Sequence, residues 1–194
     1  MLALFAGWLG NHLERVPVTY REAPQAEARR NPYLALERFT MRMGGQLTRQ
    51  SDARVIDRLP AGGTLFLDRQ RAHRLPPERL HRLLAWVEDG GYLIAVAERP
   101  GVADPLLDSL GVRHSETLPE APRAQQRVLE VTLPGMLRPL RIDASWQHLE
   151  AGGRQPDWSA GENADGVGKQ ILHFNLGRGH LTIASERRWC SILA

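Results

Sequence analysis

The chain has 194 residues, 42% hydrophobic and 24% charged, a composition that argues against a disordered chain and fits one globular domain with a real apolar core, with or without an appended lobe. Formal net charge is only +3, too small an excess to argue for nucleic acid, and the fact that all but one of the 25 basic residues are arginine reads as codon bias rather than recognition. A single cysteine, Cys190, excludes an internal disulfide and any multi-cysteine metal site.

In chain order, Met1 to Leu9 is an apolar run followed by a polar, basic stretch. Nine residues are too few to cross a bilayer, which needs about 20 in a helix, and no basic region precedes the run as in a signal peptide. Two readings stand: the end of a membrane helix, or an amphipathic lead-in packed on the domain. Val16 to Tyr20 reads as a first strand, and a polar linker follows. Asn31-Pro32 opens a helix, with Asn31 as cap and Leu36, Phe39 and Met43 on one face before Gly44-Gly45. Gln46 to Thr48 is a candidate short strand and Ala53 to Leu59 a helical turn.

Residues 61–97 carry the clearest pattern in the chain. Thr64 to Leu67 and Tyr92 to Ala97 are short, almost wholly apolar and bounded by glycine pairs, as buried parallel strands are. Between them Pro76-Pro77 and Glu78 suit a helix start, Leu80, Leu83, Leu84 and Val87 repeat at helical spacing, and Gly90-Gly91 stops it. A crossover of this length makes the strand pair parallel. Asp104 to Gly111 then repeats the grammar of cap, proline, apolar turn and glycine. Beyond it the pattern changes: Arg127 to Leu133 and Leu140 to Ile142 alternate around Pro134-Gly135, and Gln170 to Leu176 and His180 to Ala184 flank Gly177-Arg178-Gly179, predicting antiparallel hairpins. The glycine-rich stretch 151–169 reads as a long surface loop.

Taken together, NPYLALERF (31–39), LPAGGTLFL (59–67), LPPERLHRLLAWVEDGGYLIAVAE (75–98), DPLLDSLGV (104–112) and LGRGHLTIASE (176–186) resemble the bacterial "domain of unknown function 4350" family. The resemblance spans roughly residues 14–186. It implies a fold similar to class I glutamine-amidotransferase-like and flavodoxin-like domains: an α/β domain with a mostly parallel sheet, helices on both faces, and antiparallel hairpins in the C-terminal part. The expected organisation is an apolar lead-in or shortened membrane anchor over 1–13, a single domain over 14–186 with an α/β core to about 112 and a β-rich extension over 127–184, and a tail over 187–194 that stops short of the family pattern. The resemblance also implies association with the bacterial inner membrane through a terminal anchor, a protein partner, and a link to MoxR-type ATPases, with no established activity. It tilts Met1 to Leu9 towards an anchor.

Residues that carry chemistry give little support for a reaction. Class I amidotransferases place a nucleophilic cysteine on a sharp glycine-flanked strand-to-helix turn beside a histidine, and Cys190, in Arg187-Arg188-Trp189-Cys190-Ser191, has no such setting. No serine sits in a Gly-x-Ser-x-Gly elbow. His73 and His81 lack zinc-helix spacing, and Gly177-Arg178-Gly179 is better read as a hairpin turn than a phosphate loop. No cofactor or metal is expected. The run Arg69, Arg71, His73, Arg74, Arg79, Arg82 reads as a solvated loop and helix face, with phosphates of lipid or nucleic acid as the alternative.

In open α/β sheets ligands meet the carboxyl ends of the strands. Asp68 and Arg69 follow one predicted strand, Glu98 and Arg99 another, and Arg30 and Asn31 precede a helix amino end, so these six residues form the candidate binding surface. The plainer reading of the same residues is that the acids end strands, Asn31 caps a helix and the arginines neutralise charge. The leading functional expectation is a non-catalytic, membrane-associated domain that binds a protein partner or small ligand. An amidotransferase-like hydrolase with displaced catalytic residues, or a basic lipid- or nucleic-acid-binding module, is the alternative.

Overall fold

The computed structural model describes residues 26–71, 73–116, 127–162 and 168–187. The expected strand at 16–20, the apolar run Met1 to Leu9 and Cys190 lie outside them. The chain divides into a small N-terminal unit ending at Leu34 and a larger one from Ala35. Within the first, helix α1 spans Ala26–Arg30, in what the sequence suggests is a linker. Asn31 then closes an Asx turn, its Oδ1 accepting from Tyr33 N at 3.0 Å, and its carbonyl accepts from Leu34 N, where α2 (Leu34–Arg42) begins. A 3-10 turn over Ala53–Arg58 follows, capped by Asp52; Gln46 to Thr48 forms no strand.

The larger unit is built on a seven-stranded sheet. Its strands are β1 (Thr64–Leu67), β2 (Tyr92–Val96), β3 (Val112–Glu116), β6 (Gln147–Ala151), β7 (Trp158–Glu162), β8 (Lys169–Leu176) and β9 (Gly179–Ala184). The order is β1-β2-β9-β8-β6-β3, with β7 also on β8. β1 pairs parallel with β2 across helix α3 (Pro77–Glu88), as the crossover length requires, and β9 runs parallel on the far side of β2.

The expectation of a mostly parallel, flavodoxin-like sheet is not met, because only two of the six pairings are parallel and the other four are antiparallel. The physical reason lies in the connections: after Val112 no described helix is available as a crossover, and the tight turn from Leu176 to Gly179 joins β8 and β9 in opposite directions. Strands β3 and β6 escape the sequence reading, and the stretch 151–169 is not a continuous loop, since β7 pairs with β8 from Trp158 opposite His173 to Glu162 opposite Lys169.

One face of the sheet carries the main core. Leu83 and Val87 of α3 are fully buried there against Leu93, Phe174, Leu181 and Ile183, with Leu80 and Leu84 at the margin of the stripe. Burying one such side chain contributes about 1.5–3 kcal/mol. Helix α4 (Pro105–Leu110) adds Leu106, Leu107 and Leu110, held at its start by the Asp104 cap and at its end by Gly111 in the left-handed region at φ 65°. Helices do not line the opposite face in the same way among the described residues. A separate hairpin, β4 (Arg127–Val131) with β5 (Leu140–Ala144), packs Leu129, Val131 and Ala144 on Ala160 and Ile171.

The β8–β9 turn docks onto the end of α3. Arg178 N donates to Glu88 O at 2.8 Å and His180 N to Gly91 O at 3.0 Å, so helix end and turn satisfy each other's backbone groups. Only glycine permits this approach: a Cβ at Gly179 would lie 2.0 Å from Val87 O and 2.3 Å from Gly91 O. Gly179→Ala should therefore lower stability by about 1–3 kcal/mol, read as a reduced urea midpoint with unchanged m value. Arg178→Ala, at an exposed side chain, should stay within about 0.5 kcal/mol of the parent.

Candidate functional site

The carboxyl ends of β1, β2 and β9 lie side by side, and each apolar strand passes there into polar residues: Asp68 to Arg71, Glu98, and Ser185-Glu186. The loop after β1 bends at Gln70, the one non-glycine residue with positive φ (73°) among those described. Such a bend turns two successive backbone N–H groups towards one point, the concave arrangement that binds anions. Here the anion is internal. The Glu98 carboxylate accepts from Gln70 N at 3.0 Å and from Arg71 N at 2.6 Å, and the residue is buried.

Arg71 turns inward from the same loop and is only 3% exposed. Its guanidinium forms a fork with both carboxylate oxygens of Asp104, Nε meeting Oδ1 at 3.1 Å and Nη2 meeting Oδ2. Nη1 reaches the carbonyls of Asp68 and Val96 at the ends of β1 and β2. Asp104 also accepts from Glu98 N at 3.1 Å and from Leu106 N at the start of α4. One buried ion pair thus joins two strand ends to a helix start. Arg69 does the same on the other side: Nε donates to Ala97 O at 2.9 Å, and Nη2 to Ser185 O at 3.0 Å and Gln147 Oε1 at 3.1 Å. Burial, more than neighbouring charge, lowers its pKa.

Beneath these lie Gln170, fully buried, which receives the Ser185 hydroxyl on Oε1 and donates from Nε2 to Gln147 O at 2.6 Å, and buried Glu186, which accepts from Ser145 N. His114 on β3 approaches from the side. Its Nδ1 meets Glu98 O at 2.6 Å, and a carbonyl can only accept, so Nδ1 carries the proton and Nε2 is a bare acceptor, buried without a partner. Burial pushes the His114 pKa down to about 4 against the opposing bond to Glu98. Asp68 Oδ1 is likewise buried without a partner, while Oδ2 lies 3.9 Å from Arg187 Nη1.

Of the six residues expected to form the binding surface, the structure brings Asp68, Arg69 and Glu98 together. Glu98 is buried, so it holds a loop and presents no surface. Arg99 is exposed beside it. Arg30 and Asn31 belong to the N-terminal unit, where Asn31 makes its Asx turn. The sequence reading misses Arg71, Asp104, His114, Gln147, Gln170, Ser185 and Glu186. A signal exists for part of this set, since Leu67-Asp68, Ala97-Glu98 and Ala184-Ser185-Glu186 all place a carboxylate just past an apolar strand. The basic run is no continuous stripe either: Arg69 and Arg71 point inward, and Arg79 and Arg82 share Asp57 at 3.3 and 3.1 Å. Among the described residues no group of three His, Cys, Asp or Glu is arranged to hold a metal.

Two predictions follow from this geometry. Arg71→Ala would strand the Asp104 carboxylate in the interior, and denaturant unfolding should show a loss of about 3–5 kcal/mol. Arg99→Ala should change stability by no more than about 0.5 kcal/mol. The second concerns pH. Because the folded pKa of His114 lies near 4, below the ordinary unfolded value, its contribution is complete above about pH 6.5 and is lost as pH falls towards 4, by up to about 3 kcal/mol. His114→Asn, which keeps a donor for Glu98 O, should flatten the fall in urea midpoint across that window. A residual slope is expected from His173, whose pKa burial also lowers.

Among solved structures the mmIFT52 N-terminal domain is similar in fold, with a TM-score of 0.51 at 9% identity over 83% of this chain and 86% of that one. The cold-adapted β-galactosidase from Rahnella sp. R3 aligns with a TM-score of 0.44 at 15% identity, over 68% of this chain and 21% of its own length. For the exo-β-1,4-mannosidase Op5Man5 from Opitutaceae bacterium strain TAV5 the values are 0.38 and 16%, over 60% and 20%. This chain thus spans about a fifth of either glycosidase. No curated protein matches it. A family model does match, over residues 25–190, from before α1 to beyond the Ser185-Glu186 pair that follows β9, and the chain accordingly belongs to the family described as Domain of unknown function (DUF4350).

Proposed function

We propose that this domain is a non-catalytic recognition module of a membrane-associated assembly, binding a protein partner or small ligand at the rim of its strand carboxyl ends. The observation that carries this reading is the loop after β1: the backbone concavity that an α/β enzyme would offer a substrate anion is filled by the protein's own Glu98 carboxylate. Most other polar groups there are similarly engaged, Asp68 Oδ1 and His114 Nε2 being the buried atoms without a partner. Arg71 is committed to Asp104, Arg69 to two carbonyls and an amide, and the Ser185 hydroxyl to Gln170, so at this locus no described hydroxyl stands against a base as a nucleophile would.

What faces outward is the part-exposed Asp68 carboxylate with Arg187 beside it, and Arg99, a mixed-charge rim suited to orienting a partner more than attracting it over distance. The membrane part of the proposal, with its ATPase-linked partner, is supported by the apolar run Met1 to Leu9 and by the resemblance that introduced it. Among the described residues no helix is long and apolar enough to cross a membrane.

The test is an affinity capture from bacterial membranes with the full chain as bait. Asp68→Ala combined with Arg99→Ala should cut the recovered partner about tenfold, a loss of about 1.4 kcal/mol, while leaving the melting temperature nearly unchanged. Glutaminase or esterase turnover by the purified protein above a buffer control, abolished by Ser185→Ala, would overturn the non-catalytic reading.

A further inference from the structure

Between the 3-10 turn and the first turn of α3 lies an open cleft of about 420 Å³, lined by Ser51, Asp52, Ala53, Arg54, Arg74 and Arg79. Its charges are unevenly matched. Arg79 is fixed in place, with Nε and Nη2 each 3.3 Å from the Asp57 carboxylate and Nη1 donating to Arg74 O at 3.0 Å. Arg82, one turn from the start of α3, shares the same Asp57 at 3.1 Å. Asp52 is occupied as a cap, Oδ1 accepting from Arg54 N at 2.9 Å, and only Oδ2 faces the Arg54 guanidinium, at 4.0 Å. The Arg54 side chain is 84% exposed, so that contact is weak. Arg74, exposed, makes no ion pair or side-chain hydrogen bond with any described residue. Among the lining residues Arg54, Arg74 and Arg79 therefore stand against one carboxylate, Asp52, and behind them Arg82 shares Asp57 with Arg79.

We infer that this cleft binds a phosphate monoester. The excess of two positive charges matches a phosphate dianion, whereas a ligand with a single carboxylate would neutralise only half of that excess, and guanidinium forks meet phosphoryl oxygens in pairs. The volume lies within the range of small-ligand sites, about 300–1,000 Å³, so it admits more than the bare oxyanion. Arg79 is held in place by Asp57 and Arg74 O and keeps one N–H on each of Nη1 and Nη2 for a ligand, while Arg74 and the weakly engaged Arg54 line the same cleft with their forks. At the helix start Pro76 and Pro77 have no backbone N–H, and Arg79 N donates to Pro76 O, so the side chains carry the site. None of these residues belongs to the network at the strand ends. The ester is either a soluble phosphorylated molecule or a lipid headgroup.

Calorimetric titration of the intact chain with inorganic pyrophosphate tests the site. Wild-type protein should bind; Arg54→Glu with Arg74→Glu should weaken binding at least tenfold, and Arg54→Gln with Arg74→Gln should weaken it less, both without loss of melting temperature. Arg113→Glu with Arg178→Glu makes the same charge change at exposed positions elsewhere and should leave binding within about twofold. Asp68→Ala with Arg99→Ala should leave it intact, which separates this site from the strand-end rim. Sedimentation with phosphatidylcholine vesicles containing phosphatidic acid, competed by pyrophosphate, would identify the lipid as source; pyrophosphate binding without vesicle capture would identify a soluble ester. No binding by the wild-type protein, or an equal loss in the Arg113 and Arg178 variant, would overturn the inference.

Discussion

The fold depends on a carboxylate held where a loop would otherwise come apart. Glu98, two residues past the end of β2, receives the two N–H groups that Gln70 and Arg71 expose by bending after β1, and its own N–H goes to Asp104. Asp104 in turn grips Arg71 and starts α4. Removing water from so many charges is costly, and the arrangement is tolerable only because almost every lone pair and proton finds a partner. A network of this kind stabilises little in net terms but resists the loss of any one member, which is why it specifies a single loop conformation.

That network divides the sheet along its strands. Towards the amino ends and middle, Leu93, Leu181, Ile183 and Phe174 pack on α3 by area alone, without direction. At the carboxyl ends of β1, β2 and β9 lies a directional region in which Arg69, Arg71, Gln147 and Gln170 fix the relative positions of β1, β2, β6, β8 and β9. Apolar packing sets how much is buried; the polar ends set which strand lies next to which.

The division also explains what the sequence discloses. Helix α3 and the two strands around it are legible because Leu80, Leu83, Leu84 and Val87 repeat at helical spacing between two apolar runs, and each signal is local. The hairpin turn at Gly177-Arg178-Gly179 is legible for the same reason. Strands β3 and β6 are not, since VRHSE and QHLEA are mostly polar and gain their strand character from pairing, β3 with β6 and β6 also with β8. Strand β7 is masked by the glycines and acids around it, although Trp158 stacks on His173 at 4.7 Å. At the candidate site Asp68, Arg69 and Glu98 follow from a general rule about strand ends, but Arg71 reads as one more residue of a basic run. Its inward turn is set by the left-handed backbone at Gln70 and by Asp104, 33 positions further on, neither of which a local pattern contains.

Strand β9 is the last strand described in the chain, yet it lies between β2 and β8. During synthesis from the amino end, the β1–α3–β2 unit therefore waits with one edge of β2 unpaired while the following strands are made, and Tyr92 meets His180 only after the intervening residues have emerged. Contacts so distant in sequence are slow to form, and an unpaired apolar edge is an invitation to associate with other chains. The sheet is closed by the last strand described, as a keystone closes an arch, so a chain interrupted before Ala184 leaves that edge of β2 without its partner.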